Sequence, residues 1–419
     1  MNYYLEMNTY KRDRESIFAL PLFFMSIFLH QSNVIFGVNL SLADVFCFTI
    51  LLLFIIQKRL FIPTTPLLFF IFLSFTVLIT TTYYVPIKFM YYPDLFRIIS
   101  EYIKLIAIFT YFVIGYNLSK VNQIETIVKW YSIFGMFLGL IAILFTVFSI
   151  KIFSSVLFFA DIRFRGLMND PNYFSVLQIT SLVYISRIKN LKARYKFLAI
   201  IITFLSVLTS GSKTGIITLF FYLTIRIVEY AINQKKKIKV IISQLFFILT
   251  LPITFIMFPK FEFDIISSIP SFARIQLLFT DFTAAISENG SGRGITLDAA
   301  LSIIQESPFL GVGIATYTNI ASMKYSVENL AHNTFLQLAA EWGIPLTVAL
   351  FTFISIILIK SNTVNESNTE ISIVLRDIII LLLVGSMAIS LNNARVLWLF
   401  LGALVFLIRK KSNRRRKYD

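Results

Sequence analysis

The chain has 419 residues, 57% of them hydrophobic and 14% charged, and a mean hydropathy of +0.78. A water-soluble globule of this length does not carry so apolar a composition, so a polytopic membrane protein is predicted. The net charge of +16 comes from basic clusters between apolar runs, which act as topological anchors on anionic headgroups, so membrane lipids are expected as partners and nucleic acid is not.

Lys11, Arg12 and Arg14 precede the first apolar run, 16–31. No small-residue cleavage site follows, so this run is predicted to be a transmembrane helix and not a removable signal. Crossing a bilayer takes about 20 apolar residues. Further candidate spans are 42–57, 66–84, 102–118, 131–150, 172–186, 196–210, 214–232, 238–258, 343–359, 371–391 and 396–408. The expected fold is an all-α polytopic integral membrane protein with about 12 transmembrane helices, in a range of about 10–14. A single integral domain is expected over 1–419, with a large external loop at 259–333 and a basic cytoplasmic tail at 409–419. Cation clusters recur in alternate loops: Lys58/Arg59, Lys120/Lys129, Arg187 to Lys196, Arg226 with Lys235 to Lys239, Lys360 and the tail. Both termini are therefore expected in the cytoplasm.

Cys47 lies in an apolar run and is the chain's one cysteine, so it has no disulfide partner and is expected to be a packing residue. Two histidines and one cysteine are too few soft ligands for zinc. Carboxylates could hold a hard cation such as Mg²⁺, but no dedicated metal site is expected.

The loops poor in clustered charge, Lys151–Pro171 and 259–333, fall on the external side. A structureless loop of the second size is unusual, so folding or function is expected there. Phe272, Ile275, Phe279, Phe282 and Ile286 recur at helical spacing, and Leu297, Ala300, Leu301 and Ile304 form a second apolar face that Pro308 and Gly311 end. These are predicted to be amphipathic helices lying on the membrane or capping a cavity, joined by the hinge SENGSGRG.

External arginines need not anchor topology and are free to bind an anion. Arg163 and Arg165 lie in ADIRFRGLMNDPNYFS, Arg274 and Arg293 in the long loop, and Arg395 after Asn392 and Asn393. A guanidinium stays protonated and donates two parallel hydrogen bonds, which suits a pyrophosphate. The alternative for each is snorkelling to a headgroup or pairing with a carboxylate such as Asp161, Asp170 or Asp298. SGSKTG, 210–215, lacks Walker spacing and a preceding strand, which leaves Lys213 in a short turn between helices, where ionisable residues usually face a cavity or a partner. GVGIATYT, 311–318, lacks the third glycine of a nucleotide fingerprint and is expected to be a turn after Pro308.

His332 stands where a polar segment meets TFLQLAAEW, for which Asn333 or Thr334 is the expected N-cap. At the positive end of a helix the neutral imidazole is favoured, and a neutral imidazole can accept a proton. The alternative is a hydrogen bond to loop backbone. His30, at the outer end of the first span, is expected to be structural.

Together, SGRGITLDAALSIIQESPFLGVGIATY, AHNTFLQLAAEWG and the earlier RFRGLMNDPNYFS resemble the O-antigen polymerase and ligase family, Wzy-type and related glycan transferases of bacterial plasma membranes. The resemblance implies transfer of an undecaprenyl-pyrophosphate-linked oligosaccharide on the external face, with inversion and without nucleotide sugar, cofactor or metal. It makes His332 the candidate base or acceptor-orienting group, and Arg293 and Arg165 the pyrophosphate ligands, with Arg163 as the other member of its pair. Where relatives show Ser-x-Ser-Arg, this chain has Ser-Gly-Ser-Lys, so Lys213 would bind phosphate as a point charge. A polymerase is favoured by analogy, which brings in a chain-length regulator and a flippase as candidate partners; the alternative is a ligase acting on lipid A core. A polysaccharide transporter would need midplane polar residues and repeated halves, neither of which the sequence shows. An envelope assembly protein is the remaining alternative.

Overall fold

The computed structural model describes residues 17–32, 41–150, 152–233, 271, 275, 293–361 and 369–415. Within them run α1 (Ile17–Phe28), α2 (Leu42–Ile56), α3 (Thr64–Ile79), α4 (Val85–Phe89), α5 (Leu95–Lys120) and α6 (Ile124–Val147). After α7 (Ser154–Leu157) and the two-residue strands β1 (Phe158–Phe159) and β2 (Arg163–Phe164) come α8 (Pro171–Arg187), α9 (Ala193–Thr209) and α10 (Lys213–Asn233). The last group is α11 (Arg293–Glu306), α12 (Tyr317–Tyr325), α13 (Thr334–Trp342), α14 (Ile344–Ser361), α15 (Thr369–Gly385) and α16 (Arg395–Arg415).

Every sequence-predicted span except 238–258, which lies outside the described residues, overlaps a helix, but these helices are not all of membrane-crossing length. Among the described residues, four helices are long and apolar enough to cross a membrane: Thr64–Phe89 (α3 running on into α4), α5, α6 and α14. The apolar α1 and α2 are shorter, and α8, α9 and α15 have 17 residues each. The predicted helix over Phe272–Ile286 lies, Ile275 apart, outside the described residues.

Local chemistry sets several boundaries. Ser41 and Asp44 close a capping box on α2, with Ser41 Oγ accepting from Ala43 N at 3.1 Å and Asp44 Oδ2 from Ser41 N at 2.9 Å. Asp94 caps α5 by accepting from Arg97 N at 2.9 Å. Between α3 and α4 the helix widens into a π turn over Thr80–Tyr84. Pro86, which has no N–H and would crowd the carbonyl four residues back, follows directly.

The chain divides into two compact units. The first comprises 1–133, 296–380 and 390–419. In it α5 and α16 touch backbone to backbone: a Cβ on Gly115 would run into the Leu399 carbonyl, and one on Gly402 into that of Phe112. Such small-residue contacts are how helices pack where apolar burial alone gives no advantage over lipid. Arg395, at the start of α16, forks onto Asp44, with Nε to Oδ1 at 2.5 Å and Nη2 to Oδ2 at 2.6 Å. The Tyr111 hydroxyl donates to the same carboxylate at 2.9 Å. The guanidinium that the sequence left open to an anion is thus paired within the fold. His30 is buried, stacks on Tyr131 at 4.3 Å and bonds its carbonyl at 2.9 Å, as a structural histidine does.

Also in this unit, α11 turns Ala299, Ala300, Ile303 and Ile304 into a core shared with Val85, Phe89, Tyr317, Ile320 and Ala331. The buried face is rotated by about one position from the predicted one, since Leu301 is 44% exposed. Two small alanines take the buried positions, and the bulkier Leu301 turns out.

The second unit comprises 134–295 and 381–389. There α8, α9 and α10 pack together, and the antiparallel β1–β2 pair sets Phe159 opposite Arg163. A Cβ on Gly215 would stand 2.5 Å from Ser175 Oγ, so α10 lies tight against α8.

Candidate functional site

The histidine-bearing turn of the first unit is built from α13 upward. Asn333 is the N-cap, as expected, its Oδ1 accepting from Leu336 N at 3.1 Å. His332 stands just before it, half-buried and in the left-handed region at φ +50°. The turn is held on both sides. Ala331 N donates to Gln337 Oε1 at 2.9 Å, and Leu391 N donates to Thr334 Oγ1 at 2.7 Å.

The far end of α13 is fastened to the glycine turn after Pro308, confirming a turn there. Val312 N and Gly313 N donate to the carbonyls of Ala340 and Glu341, both at 2.8 Å, and Ile344 N to that of Pro308 at 2.7 Å. Gly313 (φ +71°) and Gly343 (φ +81°) adopt left-handed geometry, and a Cβ on either would strike backbone.

Among the described residues outside the spans, Glu341 is the most perturbed carboxyl. Burial pushes its pKa up to about 8, with Glu101 adding to the rise, while a hydrogen bond from Gln337 and the charge of Lys104 oppose it. Gln337 Nε2 donates to Glu341 Oε1 at 2.5 Å, and Glu101 pairs with Lys104 at 2.5 Å. Burial, with Glu341 nearby, also raises the Tyr317 phenol. Next to this helix, Trp342, Phe69, Phe109, Leu350, Phe353 and Trp398 line an apolar cavity of ≈ 180 Å³.

A second polar group surrounds α11 and α12. Glu306 accepts from Lys324 at 2.5 Å and from the Tyr325 hydroxyl at 2.6 Å, and its carbonyl from Lys88. Burial alone would raise the Glu306 pKa, but these bonds and the two lysine charges hold it below the usual carboxylate value. Arg97 donates to Thr318 Oγ1 at 2.5 Å and to Asn319 Oδ1.

In the second unit, Arg163 is buried and brought to the SGSKTG turn: Nε donates to Ser210 O at 2.8 Å, and Nη2 to Asn172 Oδ1 at 3.1 Å. Gly211 (φ +58°) packs beside this guanidinium, and a Cβ there would lie 3.4 Å from Arg163 Nε. Ser212 Oγ accepts from Gly215 N at 2.9 Å, so Lys213 is the first residue of α10, in the expected short turn. Arg165 ties its own loop, donating to Ser155 O at 2.7 Å and Val156 O at 3.1 Å. Arg293 opens α11, and Arg274 lies outside the described residues.

Gln337, Glu341, Glu101 and Lys104 were not singled out from sequence. A Glu–Lys pair at i,i+3 inside an apolar run was the available signal, because ionisable residues there are costly and usually partnered.

The described helices and their caps define a largely helical protein of the membrane-spanning class. Residues 198–351 match the sequence model of a family described as O-antigen ligase. The match takes in Lys213, Arg274, Arg293 and His332 and agrees with the O-antigen polymerase and ligase resemblance; Arg163 and Arg165 precede it. No curated protein matches the chain.

Proposed function

We propose that the protein is a glycan polymerase of the bacterial plasma membrane, joining lipid-linked repeat units at the external face, with both termini in the cytoplasm. The donor is an oligosaccharide on undecaprenyl pyrophosphate, and the acceptor is a hydroxyl of a second lipid-linked unit. The acceptor oxygen attacks the anomeric carbon from the side opposite the pyrophosphate. The carbon–oxygen bond to the phosphate breaks, undecaprenyl pyrophosphate leaves, and the configuration inverts. His332 takes the acceptor proton, and Arg293 and Arg165 stabilise the charge gathering on the departing phosphate. Arg163, Lys213 and Arg274 complete the cationic set, with Lys213 acting as a point charge. A chain-length regulator and a flippase are its partners.

The observation that carries this proposal is the match of 198–351 to the O-antigen ligase family, which contains His332 and its N-capped helix. The strained backbone at His332, held by bonds on both sides, supports a functional constraint on that residue. The same family description favours, as a second reading, a ligase that transfers the glycan to lipid A core.

The test is to supply purified protein with lipid-pyrophosphate-linked oligosaccharide, without nucleotide sugar or metal. A ladder of longer glycans, lost in His332→Ala, is expected. Glycan appearing only on added lipid A core would make the protein a ligase. Passage of lipid-linked glycan across liposomes, with neither product, would refute both.

A further inference from the structure

The Gln337 side chain is fully buried and spends both ends of its amide within one helix and the turn before it. Its Oε1 accepts from Ala331 N at 2.9 Å. A backbone N–H can only donate, so the oxygen must face it and the NH₂ must face Glu341, where Nε2 meets Oε1 at 2.5 Å. The orientation of the amide is therefore dictated by its neighbours. Ala331 is itself buried, and the next residue is His332 at φ +50°. A left-handed non-glycine residue persists only where its surroundings over-determine it. The bond at Ala331 is a tie that enters from the N-terminal side of the histidine; Asn333 and Thr334 hold the C-terminal side.

We propose that Gln337 is the positioning residue for His332, its amide fixing the direction of the imidazole by clamping the preceding peptide while Glu341 locks the amide in place. This rests on the role proposed for His332. It goes beyond it by assigning the geometry of the base to a residue one helical turn inside α13 that touches no substrate.

The chain's two histidines supply a direct readout. Carbethoxylation by diethyl pyrocarbonate, followed residue by residue by mass spectrometry on the full-length protein, reports His332, with buried His30 as internal control. In Gln337→Leu, which keeps bulk but removes the acceptor, His332 modification is expected to rise several-fold while His30 is unchanged. The kcat for glycan transfer should fall about tenfold, the equivalent of one net hydrogen bond, with KM held. Gln337→Glu retains an oxygen for Ala331 N but loses the NH₂ donor to Glu341, so it should restore both readouts only in part. Wild-type His332 reactivity in a folded Gln337→Leu protein would overturn the positioning role, as would a fall in kcat with reactivity unchanged. Full transfer by His332→Ala would instead remove the base assignment, and the modification arm would still decide whether Gln337 sets the histidine.

Discussion

Removing one member of the Asp44–Arg395 pair should cost far more than removing both. The two side chains are 13% and 16% exposed, and their bidentate contact joins the first turns of α2 and α16. Breaking a buried pair leaves an uncompensated charge, worth about 3–5 kcal/mol, whereas replacing both members with apolar residues of similar volume is often close to neutral. The two halves are not equivalent. Asp44 without Arg395 keeps donors from Tyr111 and Ser41 N, so Arg395→Met should fall at the low end, about 3 kcal/mol. Asp44→Leu takes away both the carboxylate that forks with the guanidinium and half of the α2 capping box, and should reach the high end. The double variant should recover about 2 kcal/mol or more relative to the sum of the singles. Thermal unfolding of the four proteins in nanodiscs, read by tryptophan fluorescence, measures the cycle. Additive losses would refute the pairing account. Abolished glycan transfer in Arg395→Met at unchanged stability would return Arg395 to the anion-binding role that its position in the sequence allowed.

His332→Ala and Arg293→Ala should each abolish glycan elongation while membrane insertion, checked by expression and fractionation, stays normal; Arg293→Lys should also be damaging, and full activity there would exclude a bidentate phosphate contact. Gly313→Ala should destabilise by about 1–2 kcal/mol from left-handed strain alone, and by more from the clash with Thr81 and Val77, as read by the unfolding midpoint. Glu341 sets a pH dependence of stability. Its carboxyl rises from 4.5 to about 8 on folding, so its contribution is complete below about pH 4.5 and is lost as pH climbs toward 8. Between those limits the slope reaches at most about 1.4 kcal/mol per pH unit. Lys104 and Glu101, whose charges reach Glu341 from α5, and Tyr317 at the start of α12 remain in Glu341→Gln, which should flatten this part of the profile. An unchanged profile in unfolding measurements from pH 5 to 8.5 would show that Glu341 is solvated.

The spans and caps were legible because their causes are local. Apolar runs of bilayer length, Asn333 ahead of TFLQLAAEW, and Pro308 followed by Gly311 each state a helix, a start or a stop within a few residues. The number of helices able to cross was less legible, since charges and the lengths of α8, α9 and α15 blur the boundary between a span and a short packed helix. The face of α11 was nearly right. Periodicity reports that a helix has an apolar side, but not whether Leu301 or Ala299 turns inward, which the surrounding core of Val85, Phe89, Tyr317 and Ile320 decides.

The candidate arginines show the same division. Composition identifies a guanidinium that topology does not require, but its partners come from distant parts of the chain. Arg395 meets Asp44 across 351 positions and Arg163 meets Ser210 across 47. Sequence by itself determined a helical membrane protein, the capped helix behind His332 and the likeness to O-antigen polymerases and ligases, because hydropathy and capping act over a few residues. Only the tertiary structure decided which cations are already paired, because their partners lie far away in the chain, and that the Gln337 amide is buried against the histidine turn, because burial is set only when the helices pack.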